Sequence, residues 1–90
     1  MQEIAVTYRG HVQGVGFRWT ARSLASEEGI AGTIRNQPDG SVALVAQGDP
    51  PSLKRFLDKL DSRMSGLILS KAYETRKPTR KYLSFEITLD

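Results

Sequence analysis

The sequence predicts an α+β fold in which two helices cover one face of a mostly antiparallel sheet. Apolar residues alternate with a period of two in some segments and follow helical spacing in others. These segments occur in the order strand, helix, strand, strand, helix, strand, with an additional strand at the C-terminus. A chain of 90 residues has room for one small core, so we expect residues 1–90 to form a single domain.

The first half of the chain predicts a strand, a helix and a hairpin. Apolar residues recur at every second position from Ile4 to Tyr8, which indicates a half-buried strand. A helical stripe follows after a loop, and Gly29 is placed to end that helix. The stripe consists of Phe17, Ala21, Leu24 and Ala25. Residues 31–36 and 41–47 then indicate two strands joined by an Asp39-Gly40 turn, which tolerates positive φ.

The second half of the chain predicts one more helix and two more strands. Pro51 suits the first helical position, where its missing N–H costs nothing, and Gly66 is placed to follow the end of the helix. The apolar stripe between them consists of Leu53, Phe56, Leu57, Leu60 and Met64. Residues 67–75 and 82–89 indicate strands joined by the basic segment 76–81. The complete order is that of the split βαβ, or ferredoxin-like, sandwich.

The composition excludes several classes of chemistry. The absence of cysteine removes disulfides, thiolate catalysis and most structural zinc designs, and we expect no metal or other cofactor. A net charge of +3 slightly favours binding of an anionic ligand and is too small to indicate nucleic-acid binding. The longest apolar run, residues 42–46, is too short to span a membrane, and the N-terminus does not resemble a signal peptide. We therefore expect a cytoplasmic protein.

The segment GHVQGVGFR, residues 10–18, is the strongest functional signal in the chain. A glycine-rich loop before a helix can direct several backbone N–H groups, and the positive end of the helix dipole, at a phosphate or sulfate ion. Arg18, in the first turn, could bind two phosphate oxygens with its planar guanidinium. The alternative is a tight turn that needs glycine for its backbone, with Arg18 as a surface charge. The spacing alone does not decide between them.

Two motifs in this region resemble those of the acylphosphatase family. GHVQGVGFR fills every fixed position of the signature Gly-x-Val-Gln-Gly-Val-x-Phe-Arg. Residues 32–36, Gly-Thr-Ile-Arg-Asn, followed by Asp39-Gly40, are similar to a second family motif, although Thr33 stands where the family commonly has an aromatic residue. The resemblance is strong over residues 4–48 and resumes weakly at residues 85–87. It implies a free-standing small acylphosphatase rather than the related N-terminal domain of the much longer hydrogenase-maturation carbamoyl-transfer proteins.

The resemblance also implies a reaction and a set of site residues. The reaction is metal-independent hydrolysis of an acyl phosphate to a carboxylate and inorganic phosphate, which we expect of a monomer. Arg18 would hold the phosphate and Asn36 would orient the attacking water. The implied phosphate-binding loop consists of His11, Val12, Gln13, Gly14, Val15, Gly16, Phe17 and Arg18. Because a carboxylate leaves easily, no activated nucleophile or strong acid is required, and we expect His11 to be an exposed side chain rather than a catalytic one.

Two other functions are open to a ferredoxin-like fold. An RNA-binding module would stack bases on aromatic residues of its central strands, and residues 41–47 contain no aromatic residue. A catalytically silent regulatory domain would not need both Arg18 and Asn36. The expected partner is therefore a small acyl phosphate, or a phosphate or sulfate anion, and neither nucleic acid nor a membrane.

Overall fold

The computed structural model describes residues 1–88. Its elements are β1 (Gln2–Gly10), α1 (Phe17–Glu28), β2 (Ala31–Asn36), β3 (Val42–Gly48), α2 (Pro50–Arg63), β4 (Ile68–Arg76) and β5 (Phe85–Ile87). The strands form one sheet in the order β4-β1-β3-β2-β5. This is the predicted ferredoxin-like order with an additional C-terminal strand at the edge, so the predicted fold class is confirmed.

The strand pairing brings the C-terminal ends of β1 and β2 to the same end of the sheet. Both strands pair antiparallel with β3, so they run parallel to each other. Tyr8 of β1 lies opposite Val42 of β3, and Val42 lies opposite Asn36 of β2. The loop that follows β1 and the last residue of β2 are consequently neighbours across a single strand.

The two helices pack on the same face of this sheet. Phe56 and Leu60 of α2 and Leu24 of α1 are fully buried, in one cluster with Leu44 and Ile34 of the central strands. The rings of Tyr8 and Phe17 lie 4.9 Å apart between centroids, which ties the end of β1 to the first turn of α1. Since burial of large apolar side chains is the main stabilising force of a domain this small, the core holds the α1 N-terminus in place over the sheet edge.

Strands β3 and β4 are each displaced by one residue from their predicted ranges, and two further differences concern α2 and β5. The second helix begins at Pro50, one residue earlier than predicted, because Asp49 caps it and its carboxylate accepts hydrogen bonds from the backbone N–H and the hydroxyl of Ser52. The last strand is only three residues long, whereas residues 82–89 were predicted. The N–H of Tyr82 donates to the Gln47 side chain at 3.0 Å, so residue 82 is held outside the strand ladder. Leu89 lies outside the described residues.

No helix within residues 1–88 combines the length and apolar character that crossing a membrane requires.

Candidate active site

The loop between β1 and α1 starts from a close contact between β1 and the beginning of β4. A Cβ atom on Gly10 would lie 2.4 Å from the carbonyl oxygen of Leu67, and the residue has φ of 130°. Only glycine fits this position. The N–H of His11 donates to the same Leu67 carbonyl at 2.8 Å. The loop therefore leaves the sheet at a fixed point, and the His11 side chain is exposed, as expected.

The middle of the loop turns its backbone toward open space. Gly14 and Gly16 have left-handed φ values of 74° and 80°, and an added Cβ atom on either would meet no atom within 4 Å. Gly16 is the N-cap of α1, which has neither a side-chain cap nor an acidic residue in its first turn. Within residues 1–88, no protein group accepts a hydrogen bond from the backbone N–H groups of residues 12–19. Unpaired N–H groups and an uncompensated helix dipole favour a bound anion here.

Three side chains of the loop anchor it rather than face a ligand. Val12 and Phe17 are each 1% exposed and belong to the core, so only their backbone groups could contact an anion. Gln13 donates from Nε2 to the carbonyl oxygens of Gln37 and Ser41, both at 2.9 Å. This cross-link joins the loop to the β2–β3 turn directly after Asn36. The sequence motif indicated Gln13 as part of the loop, but only the folded chain shows what it holds.

The β2–β3 turn is itself fixed by Asp39. Its Oδ1 accepts from the hydroxyl of Ser41 at 2.5 Å and from the Ser41 backbone N–H at 3.0 Å, and its Oδ2 pairs with Arg9 at 3.1 Å. These bonds, of which the one from the Ser41 hydroxyl has the largest effect, lower the pKa of Asp39 to about 2. A charged Asp39 therefore holds the turn at neutral pH, and through Arg9 it adds a second link to the end of β1.

The two residues with predicted catalytic roles present unpaired polar groups at this edge of the sheet. Arg18 is the second residue of α1, half-buried, and forms no ion pair within residues 1–88. Asn36 ends β2 on the same face as buried Ile34, and its Oδ1 is buried without a donor from the described residues. A buried carbonyl oxygen of this kind normally accepts a hydrogen bond from water or a ligand. Thr33 lies on the opposite face of β2, away from Asn36.

Trp19 was not singled out as a site residue by its sequence motif. It follows Arg18 directly, is 61% exposed, and the guanidinium carbon of Arg22 lies 4.2 Å from its ring centroid.

Among the described residues, no three His, Cys, Asp or Glu side chains gather in a way that could hold a metal ion.

Known proteins resemble this chain in sequence and in fold. Residues 4–87 match the family model Acylphosphatase. An acylphosphatase of Lactobacillus johnsonii is 49% identical over 65 residues, which are 72% of this chain and 71% of that protein. An acylphosphatase of Lacticaseibacillus paracasei is 35% identical over 85 residues, which are 92% of this chain and 91% of that protein. The crystal structure of acylphosphatase from Bacillus subtilis has a TM-score of 0.91 at 25% identity, covering 98% of this chain and 99% of that one. The chain therefore belongs to the acylphosphatase family of enzymes.

Proposed function

We propose that this enzyme hydrolyses acyl phosphates by binding the phosphoryl group in the β1–α1 loop, with Arg18, and directing a water molecule at it with Asn36. Family membership supports the overall reaction, which yields a carboxylate and inorganic phosphate. The proposal adds that Arg18 and Asn36 have separate roles, that the reaction needs no metal, and that the active enzyme is a monomer. The unpaired Oδ1 of Asn36, beside a loop of unpaired N–H groups, is the observation that carries it.

The loop and Arg18 would neutralise the charge of the phosphoryl group. Backbone N–H groups of the loop and of the first helical turn approach from one side, and the guanidinium can bind two phosphate oxygens at once. Because Gln13 fixes the loop to the β2–β3 turn, these donors are in place before substrate arrives. Preorganised donors of this kind stabilise charge that develops in the transition state without first having to reorganise.

Asn36 would hold the attacking water. The buried Oδ1 can accept a hydrogen bond from that water, which leaves a lone pair of the water oxygen directed at phosphorus. A neutral amide is a poor base, so the proton of the water passes to a phosphate oxygen of the substrate. The bond that breaks joins phosphorus to a carboxylate oxygen, which is a good leaving group and needs no general acid. Positioning and charge stabilisation are then sufficient, and the exposed His11 has no role in the chemistry.

A metal-free assay tests this function. The wild type should hydrolyse benzoyl phosphate at the same rate with and without EDTA, while simple phosphate esters should be nearly inert. Arg18→Ala should lose both turnover and affinity, and Arg18→Lys should recover little, because a point charge cannot replace a bidentate contact. A strict requirement for Mg²⁺, or an Arg18→Ala enzyme with wild-type kcat/KM, would contradict the proposal.

A further inference from the structure

A groove runs along the outer side of α1, between this helix and the segment that leads into β5. Its volume is about 790 Å³, and its walls include Trp19, Arg22, Ser26, Ile30, Leu83 and Phe85. Trp19 and Leu83 are 61% and 91% exposed, so the groove has apolar walls open to solvent. Trp19 is the first residue of α1 that lines the groove, and it directly follows Arg18 in the chain.

Arg22 lines this groove in contact with Trp19 and has no acidic partner within residues 1–88. Its guanidinium stacks on the Trp19 ring at 4.2 Å, and this contact uses the face of the planar group. The N–H groups at the edge of the guanidinium remain available, because Arg22 makes no side-chain hydrogen bond or ion pair within residues 1–88. A stacked arginine with free N–H groups is suited to a bidentate carboxylate.

Arg22 and Arg18 also lie on the same face of α1. They are four residues apart, so their Cβ atoms are separated by about 6 Å along one helical turn. Like charges at this spacing disfavour the helix slightly, and neither is compensated by a carboxylate within residues 1–88. Glu27, the acidic residue that lines the groove, is five positions from Arg22, about 140° around the helix, and forms no ion pair with it. The pair is thus a two-point site for negative charge.

On the basis of the function proposed above, we propose that Arg22 is a specificity-determining residue that favours acyl phosphates whose acyl group ends in a carboxylate. Arg18 and the loop would hold the phosphoryl group, and Arg22 would bind the carboxylate one helical turn away. The exposed Trp19 ring would cover the short carbon chain between the two charges. Arg22 touches the substrate without touching the reacting atoms, so it affects which substrate binds and leaves the chemistry to Arg18 and Asn36.

Calorimetry with two inert ligands tests this assignment. Propylphosphonate and 4-phosphonobutyrate share a carbon chain and a phosphonate, and they differ by the terminal carboxylate. The wild type should bind 4-phosphonobutyrate about tenfold more tightly, the effect of one charge-assisted contact. The ratio of the two Kd values should fall to near one in Arg22→Gln. Arg63→Gln, an exposed position at the end of α2, removes the same charge and should keep the wild-type ratio.

The outcomes separate the two proposals. Equal Kd values in the wild type, or a wild-type ratio in Arg22→Gln, would overturn the role of Arg22 while leaving the phosphoryl site intact. Arg18→Ala should weaken both ligands, because both carry the phosphonate. If Arg18→Ala left both Kd values unchanged, the phosphoryl site itself would be wrong and the role of Arg22 would fall with it. A parallel assay should show that succinyl phosphate is preferred to acetyl phosphate by the wild type and not by Arg22→Gln.

Discussion

Replacing Gln13 with alanine should loosen the β1–α1 loop without disturbing the core. The substitution removes two hydrogen bonds of 2.9 Å, to the carbonyl oxygens of Gln37 and Ser41. Neither carbonyl is left unpaired, because the Gln37 oxygen still accepts from Gly40 N–H at 3.0 Å and the Ser41 oxygen from Gln37 N–H at 2.8 Å. The loss is therefore that of two ordinary hydrogen bonds, about 1–3 kcal/mol in the free energy of unfolding.

Thermal unfolding and steady-state kinetics with benzoyl phosphate measure this effect. For a domain of this size the Tm should fall by at least about 4 °C. The kcat/KM should fall by about tenfold or more at temperatures where the variant is folded, since displaced donors stabilise the transition state poorly. Arg9→Gln is the matched control, because it breaks the exposed Arg9–Asp39 link from the end of β1 to the same β2–β3 turn and should cost less than about 1 kcal/mol. A Gln13→Ala enzyme as stable and as active as the control would refute this reasoning.

Two further predictions concern anion binding and pH. Inorganic phosphate at about 100 times its Kd for the wild type should stabilise the wild type by about 2.7 kcal/mol, and the same concentration should stabilise Arg18→Ala by much less. A thermal-shift titration measures both effects, and equal shifts would place the anion elsewhere. The folded pKa of Asp39, about 2, lies below the unfolded value of about 3.9, so its charge stabilises the fold at neutral pH and this stability is lost as pH falls from about 4 toward 2. Asp39→Asn should therefore lower the Tm at pH 7 and flatten its decline over that range, and an unchanged decline would show that Asp39 does not hold the turn.

Much of the fold was predictable because local signals and tertiary packing agree. The apolar stripe of α2 correctly predicted which side of the helix faces the core: Leu53 and Phe56, for example, are fully buried. The Asp39-Gly40 turn and the helix end at Gly29, which has φ of 68°, follow from backbone preferences that glycine alone satisfies easily. The loop that carries the GHVQGVGFR motif lies between a strand and a helix, as predicted, and its role as the phosphoryl site stays a prediction.

The parts that could not be predicted depend on contacts between residues distant in sequence. Gln47 holds residues 80 and 82 away from β5: its Nε2 donates to the Arg80 carbonyl oxygen at 2.6 Å and its Oε1 accepts from the Tyr82 N–H at 3.0 Å. Periodicity cannot show that a side chain 35 positions away replaces a strand ladder. The anchoring role of Gln13 is hidden in the same way, because its partners follow it by 24 and 28 positions. The groove beside Trp19 requires both α1 and the segment before β5, which meet only in the folded chain.

The separation of roles between Asn36 and Arg18 is the central claim, and the kinetics of Asn36→Ala test it most directly. If Asn36 holds the water and contributes little to substrate binding, the kcat for benzoyl phosphate should fall by about 10²–10³ while inhibition by inorganic phosphate stays nearly unchanged. Because Asn36 pairs with Val42 at the end of β2, the Tm should be measured on the same sample to show that the hairpin is intact. A stably folded Asn36→Ala enzyme with wild-type kcat would contradict the claim, as would an equal loss of turnover and of phosphate binding.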